Sequence, residues 1–258
     1  MSRIPLLQSA AILLTLWALG SSKSAHADLV TVSNHGFEEL SGQSVFNEFT
    51  FGTPAGWDLY DPNGIVPSAG VFTGTLLPNG TDFFNTTAPE GSRVSILFNS
   101  SREGDGEYGF EQTLGETLQA NMSYSLSVEV GNIASGFATN GTFFNLDEFP
   151  GYRIDLLAGG QVIASDNNLL NIAEGEFETS TIQFDTAASH ALLGQNLGIR
   201  LVNLNNIPIG FTQATSPDLE VDFDNVRLDA SSLAVPEPSS FVVMLCGLAW
   251  IGLSRRRT

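Results

Sequence analysis

Apolar and polar residues alternate along most of this chain. Tyr124, Leu126, Val128 and Val130 interleave with Ser125, Ser127 and Glu129, the period of two that sets one face of a strand against a core. Tyr152-Ile154-Leu156, Ile182-Phe184 and Leu197-Ile199-Leu201 repeat it. Turn-forming residues separate these runs: Asp61-Pro62-Asn63-Gly64, Asn79-Gly80, Asn140-Gly141 and Gly159-Gly160. The Gly159-Gly160 pair joins Tyr152–Leu157 to Gln161–Ala164 and predicts a tight hairpin. Between the two ends of the chain no stretch keeps a 3.6-residue period for four turns, and only 187–194 is compatible with a short helix. The pattern predicts an all-β fold, an antiparallel β-sandwich of the jelly-roll type.

One strand breaks its own rhythm. In Val221-Asp222-Phe223-Asp224-Asn225-Val226-Arg227-Leu228 the apolar residues occupy odd positions, then even ones. A β-bulge at Asp224-Asn225 absorbs such a flip and re-aims a side chain. The bulged carboxylate reads either as an ion ligand or as an edge irregularity.

The two ends have a different pattern. Arg3, the apolar run Ala10–Leu19 and Ala25-His26-Ala27 have the three parts of a secretory signal peptide. At the other end, Pro236-Glu237-Pro238 precedes thirteen uncharged residues, Phe241–Leu253, and then Arg255, Arg256 and Arg257. As a helix the apolar run reaches roughly 20 Å, short of a ~30 Å hydrocarbon core, and the arginines would be held on the cytoplasmic side. The chain therefore divides into a signal peptide (1–27), a sandwich domain (28–230), a linker with the PEP motif (231–238), and a short membrane helix with its arginine cluster (239–258). The expected location is export across the inner membrane, then the cell surface or the extracellular space.

Charge narrows the partners. The stretch 28–235 carries 27 of the 28 acids against five arginines and no lysine, a net charge of −22. Such a surface repels phosphate backbones and anionic lipid and favours divalent cations. The single cysteine, Cys246, lies in the tail, so neither a disulfide nor cysteine catalysis is available to the domain. Gly104-Asp105-Gly106-Glu107-Tyr108-Gly109 fits a dinucleotide fingerprint in letters only, since a strand follows it and two acids would repel a pyrophosphate.

The tail resembles the PEP-CTERM sorting signal of Gram-negative bacteria, which implies an exosortase-type membrane peptidase as a partner and a membrane stage that ends on processing. The domain also carries an ordered set of short motifs: Asn34-His35-Gly36-Phe37-Glu38, Pro54-Ala55-Gly56-Trp57, Glu111-Gln112-Thr113-Leu114 and Asp224-Asn225-Val226-Arg227-Leu228. This set resembles the galactose-binding-like jelly rolls that include many carbohydrate-binding modules. The resemblance implies a structural calcium joining the first-strand region to the last strand, with Glu38 and Asp224 as ligands and Asn34 and Asp222 beside them. Calcium takes six to eight oxygens, which suits such a set; Glu38 reads equally as a solvated acid.

Trp57 and Tyr60 are candidate sugar platforms, since an aromatic face stacks on a pyranose; a tryptophan that follows Pro-x-Gly at a strand start packs inward more often, which favours the core reading of Trp57. Phe72, Phe83, Phe84, Phe143 and Phe144 lie among Gly, Asn and Thr and either line a site or cover the core. The expected function is a non-catalytic surface or matrix protein that binds polysaccharide. The alternatives are a structural matrix component without sugar recognition and a secreted glycoside hydrolase using two carboxylates.

Overall fold

A computed structural model describes residues 27–66, 70–100, 106–206 and 217–233. The expected signal peptide and the sorting residues Pro236, Glu237, Pro238, Arg255, Arg256 and Arg257 lie outside them. No helix among the described residues is long and apolar enough to cross a membrane. Residues Ala27–Ser231 form one compact unit.

Its strands are β1 (Ala27–Val30), β2 (Ser44–Phe46), β3 (Phe49–Phe51), β4 (Asp58–Tyr60), β5 (Val71–Leu76), β6 (Val94–Asn99), β7 (Tyr108–Thr117) and β8 (Met122–Asn132). They continue with β9 (Gly136–Phe137), β10 (Phe143–Phe144), β11 (Tyr152–Ala158), β12 (Gln161–Asn167), β13 (Glu176–Asp185), β14 (Asn196–Asn203) and β15 (Leu219–Ser232). One sheet runs β13-β8-β15-β6-β5-β3-β2, with β1 paired to the far end of β15. The second runs β12-β11-β14-β7-β4, and β9 pairs with β10 as a separate ribbon. The expected all-β sandwich is what forms. The stretch 187–194 is a set of turns rather than a helix, closed by Leu193 N–H to His190 O and Gln195 N–H to Leu192 O.

Local chemistry accounts for the joints. Ala158 pairs with Gln161 across Gly159 and Gly160, whose φ angles of 57° and 76° are the two positive values that a primed hairpin turn requires. The parity break in β15 falls at Asn225, in the left-handed region with φ 50°, which Asn tolerates better than most residues. Before the break β15 pairs with β6 through Phe223; after it, from Leu228, β15 pairs with β1.

Alternation along β15 serves two cores. Val221 and Phe223 point between the sheets into the larger one, with Trp57, Phe110, Leu126, Ile154 and Leu201. Glu220, Asp222 and Asp224 point the other way and are nonetheless buried. On that outer face a second apolar cluster, built on Leu76, Phe83, Val94, Ile96, Phe98 and Ile133, covers the eight-stranded sheet. Strand β6 is buried at every position as a result.

Candidate active site

The second cluster is not filled solid. It holds a half-open pocket of about 170 Å³, a little larger than an engineered apolar cavity of ~150 Å³ that admits benzene. Strand register builds its floor. Phe72 lies opposite Phe98, and Phe98 opposite Glu220, so the three side chains form a row across β5, β6 and β15. The next row is Gly74, Ile96 and Asp222. Gly74 must lack a side chain here, because a Cβ would lie 1.9 Å from the Thr50 carbonyl oxygen.

Phe49 and Phe51 of β3 form one wall; Phe83, Ile133, Phe144 and Leu146 close the roof. The rings meet at angles: Phe98 and Phe144 are edge-to-face at 6.2 Å, Phe49 and Phe144 tilted at 5.9 Å, Phe72 and Phe98 parallel at 6.0 Å.

Glu220 is the one polar side chain in this wall. It is 3% exposed, and its Oε1 meets no hydrogen-bond partner among the described residues; neither do the oxygens of Asp222, two residues on. The two carboxyls act on one another. Burial pushes Glu220 up to about 8, and the Asp218 charge adds to the shift. Burial, with the charge of Glu220, raises Asp222 well above the ordinary range. Both are thus protonated at neutral pH, because an apolar wall penalises the charged form. A protonated acid facing an aromatic pocket is a proton donor in apolar surroundings.

The residues expected from the sequence to bind ligands lie elsewhere. Trp57 is 5% exposed in the inter-sheet core, stacked on Phe37 at 5.6 Å, with its indole N–H donating to Asn34 O at 3.3 Å. Tyr60 sits on the outer face of the five-stranded sheet. Its hydroxyl donates to Glu107 Oε1 at 2.6 Å and the Arg200 guanidinium lies 4.1 Å from its ring centroid. Neither reaches the pocket. Of the five phenylalanines singled out, Phe72, Phe83 and Phe144 line it, Phe84 stacks on Phe177 at 4.3 Å, and Phe143 is exposed against Phe137.

Glu38 and Asp224 do approach one another, beside Glu90. Asp224 Oδ2 accepts the Glu90 N–H at 2.7 Å and Oδ1 the Asn225 N–H at 2.7 Å. A Cβ at Gly36 would lie 1.8 Å from Glu90 Oε2 and 3.6 Å from Asp224 Oδ1; one at Gly91 would lie 2.4 Å from Glu38 Oε1. Glu38 accepts the N–H groups of Ser92 and Arg93 at 2.6 and 2.7 Å and the Ser92 hydroxyl at 2.9 Å. Burial, reinforced by the charges of Glu90 and Glu38, lifts Asp224 to about 8.

The other two expected ligands are committed elsewhere. Asn34 Oδ1 accepts the Glu39 N–H, and Nδ2 donates to the carbonyls of Glu39 and Ala55. Asp222 is fully buried on the outer face of the eight-stranded sheet, opposite Ile96. Among the described residues no group of three or more His, Cys, Asp or Glu side chains is arranged to hold a metal.

Residues 28–229 match the HpiC1-like family, described as HpiC1 cyclase. The chain belongs to the HpiC1-like cyclase family. A cyclase from Fischerella sp. TAU is 38% identical, with a TM-score of 0.68 over 81% of this chain and 100% of that one. A Stig cyclase, Fisc, from the same source, in complex with (3Z)-3-(1-methyl-2-pyrrolidinylidene)-3H-indole, is 39% identical over the same shares with the same TM-score. So is a Fischerella sp. TAU cyclase in complex with 4-(1H-indol-3-yl)butan-2-one. No curated protein matches the chain.

Membership of a family of cyclases overturns the expectation of a non-catalytic polysaccharide binder, and with it the matrix and glycoside-hydrolase alternatives. The pocket gives the physical reason: a wall of phenyl rings with one acid offers too few polar groups for a sugar's hydroxyls. The polysaccharide and the exosortase-type peptidase accordingly give way to a small molecule as the partner implied by the family. Sequence reasoning missed Glu220, Phe49, Phe51 and Phe98. The usable signal was the run Val94–Phe98: a strand covered on both faces implies that the facing acids of its neighbour are covered too.

Proposed function

We propose that this chain is a cyclase that closes a ring on an apolar, indole-bearing small molecule, with Glu220 as the proton donor. The observation that carries this reading is Glu220 itself, the single acid in an aromatic pocket and held protonated there. The indole compounds bound to two relatives support the substrate class.

Glu220 gives its proton to an electron-rich position on an unsaturated substrate. The cation that results is stabilised by the π faces of the surrounding rings, which attract positive charge. The cation is quenched by the substrate's own π electrons as the ring bond forms. Loss of a proton to the Glu220 carboxylate then restores the acid. The balance is an isomerisation that needs no oxidant.

The test uses the purified protein and an indole carrying an unsaturated side chain, followed by chromatography with mass detection. A new product of unchanged mass is expected. Glu220→Gln, which keeps shape and loses the proton, should lower turnover by about 10²- to 10⁴-fold, while 4-(1H-indol-3-yl)butan-2-one still binds. Turnover unchanged in this variant would remove Glu220 from the chemistry.

The acidic cluster supports a second, structural reading, that Asp224, Glu38 and Glu90 hold a calcium ion. Calcium completes its shell with backbone and water oxygens, and a cation would relieve the charges of Glu38 and Glu90 beside the buried Asp224. The ion would tie the turn after β1 to β15 and takes no part in the ring closure. Chelation should lower Tm by several degrees and calcium should restore it; Asp224→Asn should abolish that difference. A Tm indifferent to both treatments counts against the ion. Residues 1–27 support export as the setting in which the enzyme works.

A further inference from the structure

The segment that roofs the pocket is held at two places of different character. Its base is fixed by backbone bonds: Ala134 N–H donates to Phe83 O at 2.9 Å, Asp218 N–H to Asn145 O at 2.7 Å, and Glu148 forms a parallel bridge with Leu219. Its far end is the ribbon of β9 and β10, closed by Ala138 N–H to Thr142 O and Gly141 N–H to Ala138 O, both 2.8 Å. A two-residue strand pair on an exposed tip has little to stabilise it alone. Phe137 and Phe143 on this ribbon are more than half exposed, yet the next residue, Phe144, turns into the pocket against Phe49, Phe83 and Phe98.

The tip is tied to the sheet through Glu48, which is outside the pocket wall. Glu48 stands in the turn between β2 and β3 and is only 3% exposed. Its Oε1 accepts the Thr139 N–H at 2.7 Å and its Oε2 accepts the Thr139 hydroxyl at 2.5 Å. Its own backbone is fixed, with its carbonyl accepting from Leu77 N–H at 2.8 Å and Arg93 Nη1 at 3.4 Å. Burial alone would raise this carboxyl, but the Thr139 hydroxyl and the amides outweigh it and hold it below the usual range. Paired bonds to an ionised acceptor are among the stronger ones available to a protein.

We propose that Glu48 is a positioning residue: by clamping Thr139 it fixes the β9–β10 ribbon, and so fixes the depth at which Phe144 closes the pocket. Substrate selection then depends on a carboxylate that never touches substrate. The inference rests on the pocket being the substrate site.

The experiment compares Glu48→Ala and Glu48→Gln with the unaltered protein by two readouts, amide exchange over 137–143 and calorimetric binding of 4-(1H-indol-3-yl)butan-2-one. Glu48→Ala should speed exchange in 137–143 by about tenfold or more and leave β6 and β15 protected. Probe affinity should fall about five- to tenfold, as KM rises more than kcat drops. Glu48→Gln, whose amide can both accept from the Thr139 N–H and donate to its hydroxyl, should recover most of both. Should Glu48→Ala fail to fold, Thr139→Val removes the hydroxyl bond from the other side and should give a smaller effect of the same sign.

Unchanged exchange at 137–143 overturns the clamp, and so does faster exchange with unchanged probe affinity. An unaltered protein that does not bind the probe overturns the pocket reading instead, and the exchange result still decides the clamp.

Discussion

Glu220 and Asp222 have the same chemistry as the two dozen other acids of the domain and a different solvent. Because the protonated form of Glu220 is the reactive one, the sign of the pH dependence follows. Turnover should hold on the acid side and fall as pH rises through about 8, measured as kcat/KM in buffers of constant ionic strength. A limb falling instead toward low pH would mean that the acid works as a base. Trp57 and Tyr60 show the limit of reading at this scale: their letters announce an aromatic surface, but the stacking of Trp57 on Phe37 and the pairing of Tyr60 with Glu107 decide where they go. Glu220 shows the converse. In the stretch Leu219–Phe223 an acid between apolar residues reads as solvent-facing, and only the cover supplied by residues more than seventy positions upstream makes it a buried donor.

At the scale of elements, the parity flip in β15 was legible before any coordinates, and so were the Gly159-Gly160 hairpin and the strands around Val128, Ile154 and Ile199. A flip of parity depends only on side chains that alternate. Which strand lies on either side of the flip does not, and the change of partner from β6 to β1 could not be read. Asn225→Val tests the bulge, since a β-branched residue at φ 50° is strained by roughly 1–2 kcal/mol. The urea midpoint should drop accordingly with no change in slope. An unchanged midpoint would mean that the strand repacks without the left-handed residue. The roof ribbon was half legible: Asn140-Gly141 marks its turn, while Phe143 and Phe144 look alike and face opposite ways.

For the whole molecule, two buried acids with raised pKa give the stability curve an unusual direction. Glu220 and Asp222 stay protonated in the fold above the pH at which they ionise in the unfolded chain, whose ordinary values are 4.5 and 3.8. Unfolding therefore releases protons across that interval, and stability is greatest at its acid end. Denaturation followed from pH 4.5 to pH 8 should show a midpoint that declines; a rise would mean that the acids are ionised and paired. Most paired carboxylates act in the other direction.

The sandwich itself was readable from periodicity, whereas the second core was not, because nothing in a strand's alternation says that its polar face will be roofed. That division has a further consequence. Up to Phe223 on β15, odd positions serve the inter-sheet core and even positions point to the outer face, and the same holds across β6. The fold thus keeps two ledgers on one strand. Residues such as 72, 96 and 98 can be exchanged to fit a substrate of another shape while Glu220 and the volumes between the sheets stay as they were. A scaffold arranged this way can diversify its reactions without renegotiating its architecture, and a library confined to the outward positions is where new ring-forming selectivities should be sought.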